Sequence, residues 1–300
     1  MTTSGFTNEA GRDQISSGRR ILAVLETLAA RPGGMTPKEV SQALQIHLST
    51  CYRLLNTLQE AGYAVRSANG HFALGRRVGY LNHRYLASVR PSTEVRAFLR
   101  ALQLATGETV MLLRLEGHEV VIIEAVEGSR PAAHPGEYAG LSGPAYAFAA
   151  GRVLLANLPA AQCEAAITRC QVAPALPWLP SCDQRALRDD LSRIKQAGYA
   201  VDRGVGGQGV CCLAAPTRLG EGEPAAVAIL APCSRFVIDE SRMLPVLLEV
   251  ARSVSALNAL PAREASWQTG DNVAQAAIEA AQAAVADAMS RVRETSRSDL

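Results

Sequence analysis

Thr36-Pro37-Lys38-Glu39-Val40-Ser41-Gln42-Ala43-Leu44-Gln45-Ile46-His47-Leu48-Ser49-Thr50-Cys51-Tyr52-Arg53-Leu54-Leu55-Asn56-Thr57-Leu58 is the stretch whose reading decides the fold. Thr36 and Glu39 stand at capping-box spacing with proline at the first helical position between them. A helix is therefore predicted to start there and run through Val40, Ala43 and Leu44. Gln45-Ile46-His47 reads as the turn. In the second helix Cys51, Leu54, Leu55 and Leu58, spaced by threes and fours, make one apolar stripe. Its other face carries Ser49, Thr50, Tyr52, Arg53 and Asn56. A helix-turn-helix protein places there the side chains that reach phosphates and base edges in the major groove of double-stranded operator DNA. Gly62 can end this helix in the left-handed conformation. Tyr63–Arg66 and His71–Leu74 then flank Ser67-Ala68-Asn69-Gly70, a hairpin that reads as a wing.

Outward on the N-terminal side, Ser17 opens a helix whose stripe of Ile21, Val24, Leu25 and Leu28 is expected to pack on the other two, with Arg31-Pro32-Gly33-Gly34 as its stop. Arg19 and Arg20 at its start are either phosphate contacts or ordinary solvated charges. Residues 1–16 are polar and expected to be disordered. Residues 1–91 hold eleven Lys/Arg against five Asp/Glu, a net +6, so the whole-chain charge of +2 leaves the remainder at −4. That asymmetry is the electrostatic footprint of a DNA-binding module joined to a neutral or acidic partner domain.

On the C-terminal side a helix is predicted over Arg76–Val89, stopped by Pro91, with Val78, Leu81 and Tyr85 on one side. Another starts near Ser92 and carries Val95, Phe98, Leu99 and Leu102 to a stop at Thr106-Gly107. Strands follow at Thr109–Leu115 and Val120–Ala125, paired antiparallel across Glu116-Gly117-His118. Gly128–Pro144 reads as loop with a short strand. Helices are predicted at Tyr146–Asn157, Pro159–Arg169, Asp183–Ala197 and Glu240–Leu260, and strands at Tyr199–Asp202, Val210–Pro216 and Ala225–Leu230. This mixed order argues an α+β domain around a mostly antiparallel sheet.

Gly18-Arg19-Arg20-Ile21-Leu22, Ser49-Thr50-Cys51-Tyr52-Arg53-Leu54-Leu55, Gly62-Tyr63 and Phe72-Ala73-Leu74-Gly75 together resemble the winged helix of the IclR-type bacterial transcription regulators, named for the isocitrate lyase regulator. Further on, Gly107-Glu108-Thr109-Val110, Gly151-Arg152-Val153-Leu154-Leu155-Ala156, Gly198-Tyr199-Ala200-Val201-Asp202 and Cys212-Leu213-Ala214-Ala215-Pro216 keep that family's order and spacing, so the resemblance covers about residues 17–260. It implies a winged helix-turn-helix domain over 17–75, a linker helix over 76–91 that helps pair subunits, and a GAF-like effector-binding domain over 92–260. An Ala-rich tail, 261–300, lies beyond the family pattern. Ile278, Ala281, Val285, Ala288 and Val292 in that tail fit a coiled-coil seam between subunits or a partly frayed surface helix; the small area alanine buries favours the latter.

The resemblance also implies a pocket for a small organic acid effector, lined by Tyr146, Phe148, Gly151, Asp202, Cys212, Ala228 and Leu230. The family commonly has histidine and threonine where Tyr146 and Phe148 stand, and two serines where Ala228 and Leu230 stand. Loss of hydroxyls favours an effector with a larger apolar or aromatic body than a two- or three-carbon keto acid. Leu48 stands where the family commonly has a basic residue, which leaves either a missing phosphate contact or a contact to a thymine methyl.

The 48% apolar content is enough for two packed domains. No apolar run approaches the roughly 20 residues of a membrane helix, and Met1–Ser17 lacks a signal peptide's apolar stretch, so a cytoplasmic protein is expected. Seven cysteines at irregular spacing indicate reduced, mostly buried thiols rather than a disulfide framework. No catalytic residue, metal site or cofactor is expected. Cys211-Cys212 with His118, His134 and Asp202 is the one constellation from which chemistry can be argued. It leaves two alternatives to a ligand-responsive regulator: a thiol-based redox sensor using Cys211 or Cys212, and a Cys212-dependent small-molecule enzyme. Gly204-Val205-Gly206-Gly207-Gln208-Gly209 opens no helix and reads as a loop at the pocket rim rather than a phosphate cradle.

Overall fold

The computed structural model describes residues 16–129, 140–170, 182–204, 209–220, 222–257 and 270–298. The expected disorder of the N-terminus, His134 and most of the Gly204–Gly209 loop lie outside the described residues. The chain divides between Ser88 and Val89 into two compact units.

The first unit contains α1 (Ser16–Ala29), α2 (Pro37–Leu44), α3 (Leu48–Glu60), the strands β1 (Ala64–Arg66) and β2 (Phe72–Leu74), and all but the last residue of α4 (Arg76–Val89). The capping box forms at α2: the Thr36 N–H donates to Glu39 Oε2 at 2.7 Å and the Glu39 N–H to Thr36 Oγ1 at 3.3 Å. Gln45 breaks α2 with φ +52°, a left-handed backbone that no other non-glycine residue adopts among the described residues. That bend lets Val24, Val40, Cys51 and Leu55, all fully buried, meet in one core. Ala43, expected among the apolar positions, is instead exposed. An unanticipated rung joins Met35 to Phe72 through two backbone hydrogen bonds of 2.8 and 2.7 Å, tying the segment before α2 to the wing. α4 buries none of its side chains, and Tyr80, Leu81 and Tyr85 are all exposed.

In the second unit come α5 (Thr93–Thr106), β3 (Thr109–Glu116), β4 (Glu119–Val126), β5 (Ser142–Pro144), a 3₁₀ turn (Ala145–Ala147) and α6 (Ala149–Ala156). They are followed by α7 (Ala160–Arg169), α8 (Gln184–Ala197), β6 (Ala200–Arg203), β7 (Val210–Leu219), β8 (Glu223–Pro232), α9 (Cys233–Leu257) and α10 (Gly270–Ser298). Ser92 caps α5 and Gly107 stops it at φ +73°. Six antiparallel strands in the order β5-β4-β3-β8-β7-β6 form one sheet. Strand alternation then divides the core in two. Val110, Leu112, Leu213, Val227 and Ile229 face α5, α9 and α10. Met111, Leu113, Ala214, Ala226 and Ala228 face α6, with α8 packed on α6 behind it.

Three expectations are corrected. Phe148 is extended (φ −117°, ψ 145°), so α6 starts at Ala149 and not at Tyr146. α9 starts at Cys233 and not at Glu240; Phe236 in its first turn is fully buried, while Val237 and Ile238 beside it are exposed and blur the apolar period. The tail is neither frayed surface helix nor intersubunit seam over its middle. Ala281, Val285 and Ala288 of α10 are buried against α5 and α9, where small side chains allow close helix approach. Arg291 reaches back to Glu249 at 3.1 Å.

A fourth correction concerns the thiols. Cys170 is bonded to Cys182 and Cys211 to Cys233, with Cα separations of 5.8 and 5.0 Å inside the range a disulfide spans. Cys51, Cys163 and Cys212 remain free. Neither pair has a spacing signature, because folding of a strand or helix end, and not local sequence, brings the partners together.

Candidate functional site

Two surfaces gather the residues singled out from sequence. On α3, Cys51, Leu54, Leu55 and Leu58 are buried, and Ser49, Tyr52, Arg53 and Asn56 are exposed with Thr50 half-buried. Positions 49, 52, 53 and 56 recur every three or four residues, so they share one helix face. His47 precedes α3 without a side-chain cap bond, and α3 has no acidic residue in its first turn. The positive end of its dipole is therefore uncompensated from within the helix, as an anionic partner requires. Arg19 and Arg20 are exposed on α1, a different helix. Arg66, on the wing, lies over the Phe72 ring at 5.5 Å from its centroid; sequence reasoning did not mark it.

The second surface is the α6 side of the large sheet. Register places Asp202, Cys212, Leu230 and Thr109 in one row across β6, β7, β8 and β3. Ala200, Ala214, Ala228 and Met111 make the neighbouring row on the same face. Tyr146, Phe148, Cys212 and Leu230 are half-buried and pack on one apolar cluster. Ala228 is fully buried beneath them. Thr109 was missed from sequence; it is fully buried and its hydroxyl accepts from the Gly128 N–H at 3.1 Å.

Asp202 and Gly151 hold this face together. The Asp202 carboxylate accepts from the Ala149 N–H at the start of α6 and from the Arg152 guanidinium, whose Nε also lies 3.0 Å from Asp190 Oδ2. Burial pushes the Asp202 carboxyl above its ordinary value although Arg152 pulls it back. At Gly151 a side-chain carbon would sit 2.2 Å from the Ala145 carbonyl oxygen, so only glycine lets α6 lie on the preceding turn. Likewise, one at Gly143 would meet the Phe148 ring at 2.6 Å.

Burial, and then the negative charge of Asp202, push the Cys212 thiol well up. A raised value disfavours the thiolate, the form that a nucleophile or a thiol sensor uses. His118 is occupied by Arg169, 2.6 Å from its Nε2. Cys211 turns to the opposite side of the sheet, bonded to Cys233, whose N–H donates to the Gly209 carbonyl at 2.8 Å. A cavity of about 270 Å³ also lies on that opposite side, lined by Leu104, Thr106, Asp239, Arg242, Met243 and Met289 among others. None of the residues expected to bind an effector borders it. Among the described residues no His/Cys/Asp/Glu group is arranged to hold a metal ion, and no helix is long and apolar enough to cross a membrane.

Comparison with known proteins bears on both surfaces. Residues 19–68 match the IclR helix-turn-helix domain, and residues 83–256 match the C-terminal domain of the bacterial transcriptional regulator IclR. The HTH-type transcriptional regulator Rv1719 of Mycobacterium tuberculosis is 32% identical over 255 residues, 82% of this chain and 95% of its own length. A crystal structure of a transcriptional regulator from Rhodococcus sp. RHA1 superposes with a TM-score of 0.64 at 28% identity, covering 82% of this chain and 99% of the other. An IclR homologue from Microbacterium hydrocarbonoxydans, solved with 4-hydroxybenzoate, has the same fold, with a TM-score of 0.60 at 22% identity over 80% of this chain and 98% of its own. α10 lies beyond the matched residues.

Proposed function

This chain belongs to the IclR family of bacterial transcriptional regulators, and we propose that it grips operator DNA through the polar face of α3 as a dimer or a dimer of dimers, under control of a small organic acid with an aromatic or apolar body. The observation that carries the DNA-binding face is the division of α3: its apolar stripe is spent on the core, and Ser49, Thr50, Tyr52, Arg53 and Asn56 are left for the groove. Arg19 and Arg20 on α1 are further phosphate contacts. One winged helix covers too little duplex for operator-grade affinity, so two-fold pairing is needed. The exposed Tyr80, Leu81 and Tyr85 of α4 support pairing through that helix.

For the effector, the support is chemical. Tyr146, Phe148, Cys212 and Leu230 offer an apolar and aromatic wall, and Ala228 a floor without a hydroxyl. Asp202 and Gly151 serve the pocket by fixing α6, and the Thr109 hydroxyl is the polar group nearest in register to Leu230. Since a homologue of this fold holds 4-hydroxybenzoate, that acid is the first probe. A thermal-shift series should show stabilisation by 4-hydroxybenzoate and benzoate but not by pyruvate or glyoxylate. Selective stabilisation by the keto acids overturns the effector class. Loss of the shift in Phe148→Ala assigns the ligand to this face, whereas an unchanged shift moves it to the cavity beside Met243 and Met289. The same acid should then change gel-shift affinity for DNA upstream of the chain's own gene.

A second reading, a thiol-responsive regulator, is favoured by one observation, the Cys211–Cys233 bond at the junction of β7 and α9. Cys212 does not support it. Dithiothreitol would transfer two electrons and two protons to the bond and leave two thiols. Operator affinity that is unchanged by this reduction removes the reading.

A further inference from the structure

We propose that Leu48 and Tyr52 form an apolar reader for the C5-methyl groups of thymine in the operator; the proposal rests on α3 being the recognition helix. Leu48 opens α3 and Tyr52 follows one turn later, so the two side chains stack on one face. They are 43% and 41% exposed. Neither is needed inside: Cys51, Leu54, Leu55 and Leu58 already fill the core beneath α3. On one side they are flanked by the exposed polar groups Ser49, Arg53 and Asn56, and on the other they border the buried stripe at Leu55; residues 1–91, which contain them, carry a net +6. An exposed apolar pair at the edge of a basic, hydrogen-bonding face fits a partner that is anionic overall and apolar at a few points.

The major groove supplies such a partner. Its edges present donors and acceptors at every base pair, and thymine adds a C5-methyl group as the groove's apolar feature. Leucine has no donor or acceptor, so its sequence-dependent contact in the groove is with that methyl group. The Tyr52 ring, one turn on, reaches a neighbouring step of the same groove; its hydroxyl can meet a phosphate without reading sequence. The helix N-terminus is the end that a helix-turn-helix protein presents to base edges, and both residues lie within its first two turns.

Deoxyuridine tests this, because it differs from thymidine by the methyl group alone. An operator is first isolated with the full chain by selection from random duplexes, and each thymine is then replaced singly by deoxyuridine. The wild type should lose about fourfold in affinity at one or two positions per half-site, equivalent to ~0.8 kcal/mol per buried methyl group. Leu48→Ala and Tyr52→Ala, both at exposed positions, should bind thymine and uracil forms equally at one of those positions each. Tyr52→Phe should keep the discrimination. A wild type that binds the fully uracil-substituted operator as tightly as the natural one overturns the proposal. So do alanine variants that weaken binding but preserve the wild-type thymine-to-uracil ratio. Failure of the wild type to select any duplex overturns the recognition-helix reading itself, a distinct result.

Discussion

Arg53 is the one basic side chain of α3 and is exposed beside Ser49 and Asn56. A guanidinium there pairs with a phosphate or a guanine edge, so Arg53→Ala is expected to cost about 1–3 kcal/mol of operator affinity. Gel shifts at several salt concentrations distinguish the two contacts: a shallower salt slope marks a phosphate, relaxed sequence preference marks a base, and unchanged affinity removes Arg53 from the interface. Glu39 makes a second residue-level prediction. The Thr36 backbone N–H, and then its hydroxyl, hold the Glu39 carboxyl below its ordinary value of 4.5. A lowered value in the folded state means that the cap contributes fully above the unfolded carboxylate's pKa and is lost as pH falls through the folded one. Thermal unfolding of Glu39→Gln should therefore show a smaller loss of stability on acidification than the parent; identical acid profiles would mean that the cap adds nothing.

Elements carry the next two expectations. α4 was legible to the residue from its run and from Pro91, and its exposed Leu81 and Tyr85 have a use if a second copy covers them. Changing both to Asp should yield monomers by sedimentation that bind operator weakly, while dimers of full affinity would move the interface elsewhere. α10 is the opposite case. Its alanines gave no strong apolar signal, yet Ala281, Val285 and Ala288 complete the core over α5 and α9. Deleting residues 270–300 should lower the melting temperature of the effector-binding unit and raise binding of a hydrophobic dye. A truncated chain as stable as the parent would show that α10 merely rests on that face.

For the whole molecule, the division of charge matters most. With +6 in residues 1–91 and −4 in the remainder, attraction to DNA is concentrated at one end of the chain while the net charge is only +2. Log affinity for operator should fall linearly with log salt, by about 0.9 for each phosphate neutralised. The isolated fragment of residues 92–300 should show no measurable binding. Retention of DNA by that fragment in the same assay would place part of the interface outside the winged helix.

The winged helix, α5 and the β3–β4 hairpin were determined by the sequence itself. Each is encoded by local chemistry: the Thr36/Glu39 cap, the Cys51-Leu54-Leu55-Leu58 stripe, the Ser92 cap with its Gly107 stop, and the Glu116-Gly117-His118 turn. The residues of the α6-side face were named through family resemblance, but their roles were not visible. That Asp202 caps α6 and that Gly151 lets α6 lie on the preceding turn follow from the packing of α6; that Thr109 joins the row of Cys212 and Leu230 follows from the β3–β8 and β7–β8 registers. The cysteine pairs and the docking of α10 were likewise decided by tertiary structure. The physical reason is common to them: helix caps and periods are written within a few residues, whereas register between distant strands, thiol pairing and the burial of weakly apolar alanines depend on surfaces that exist only after the rest of the chain has packed.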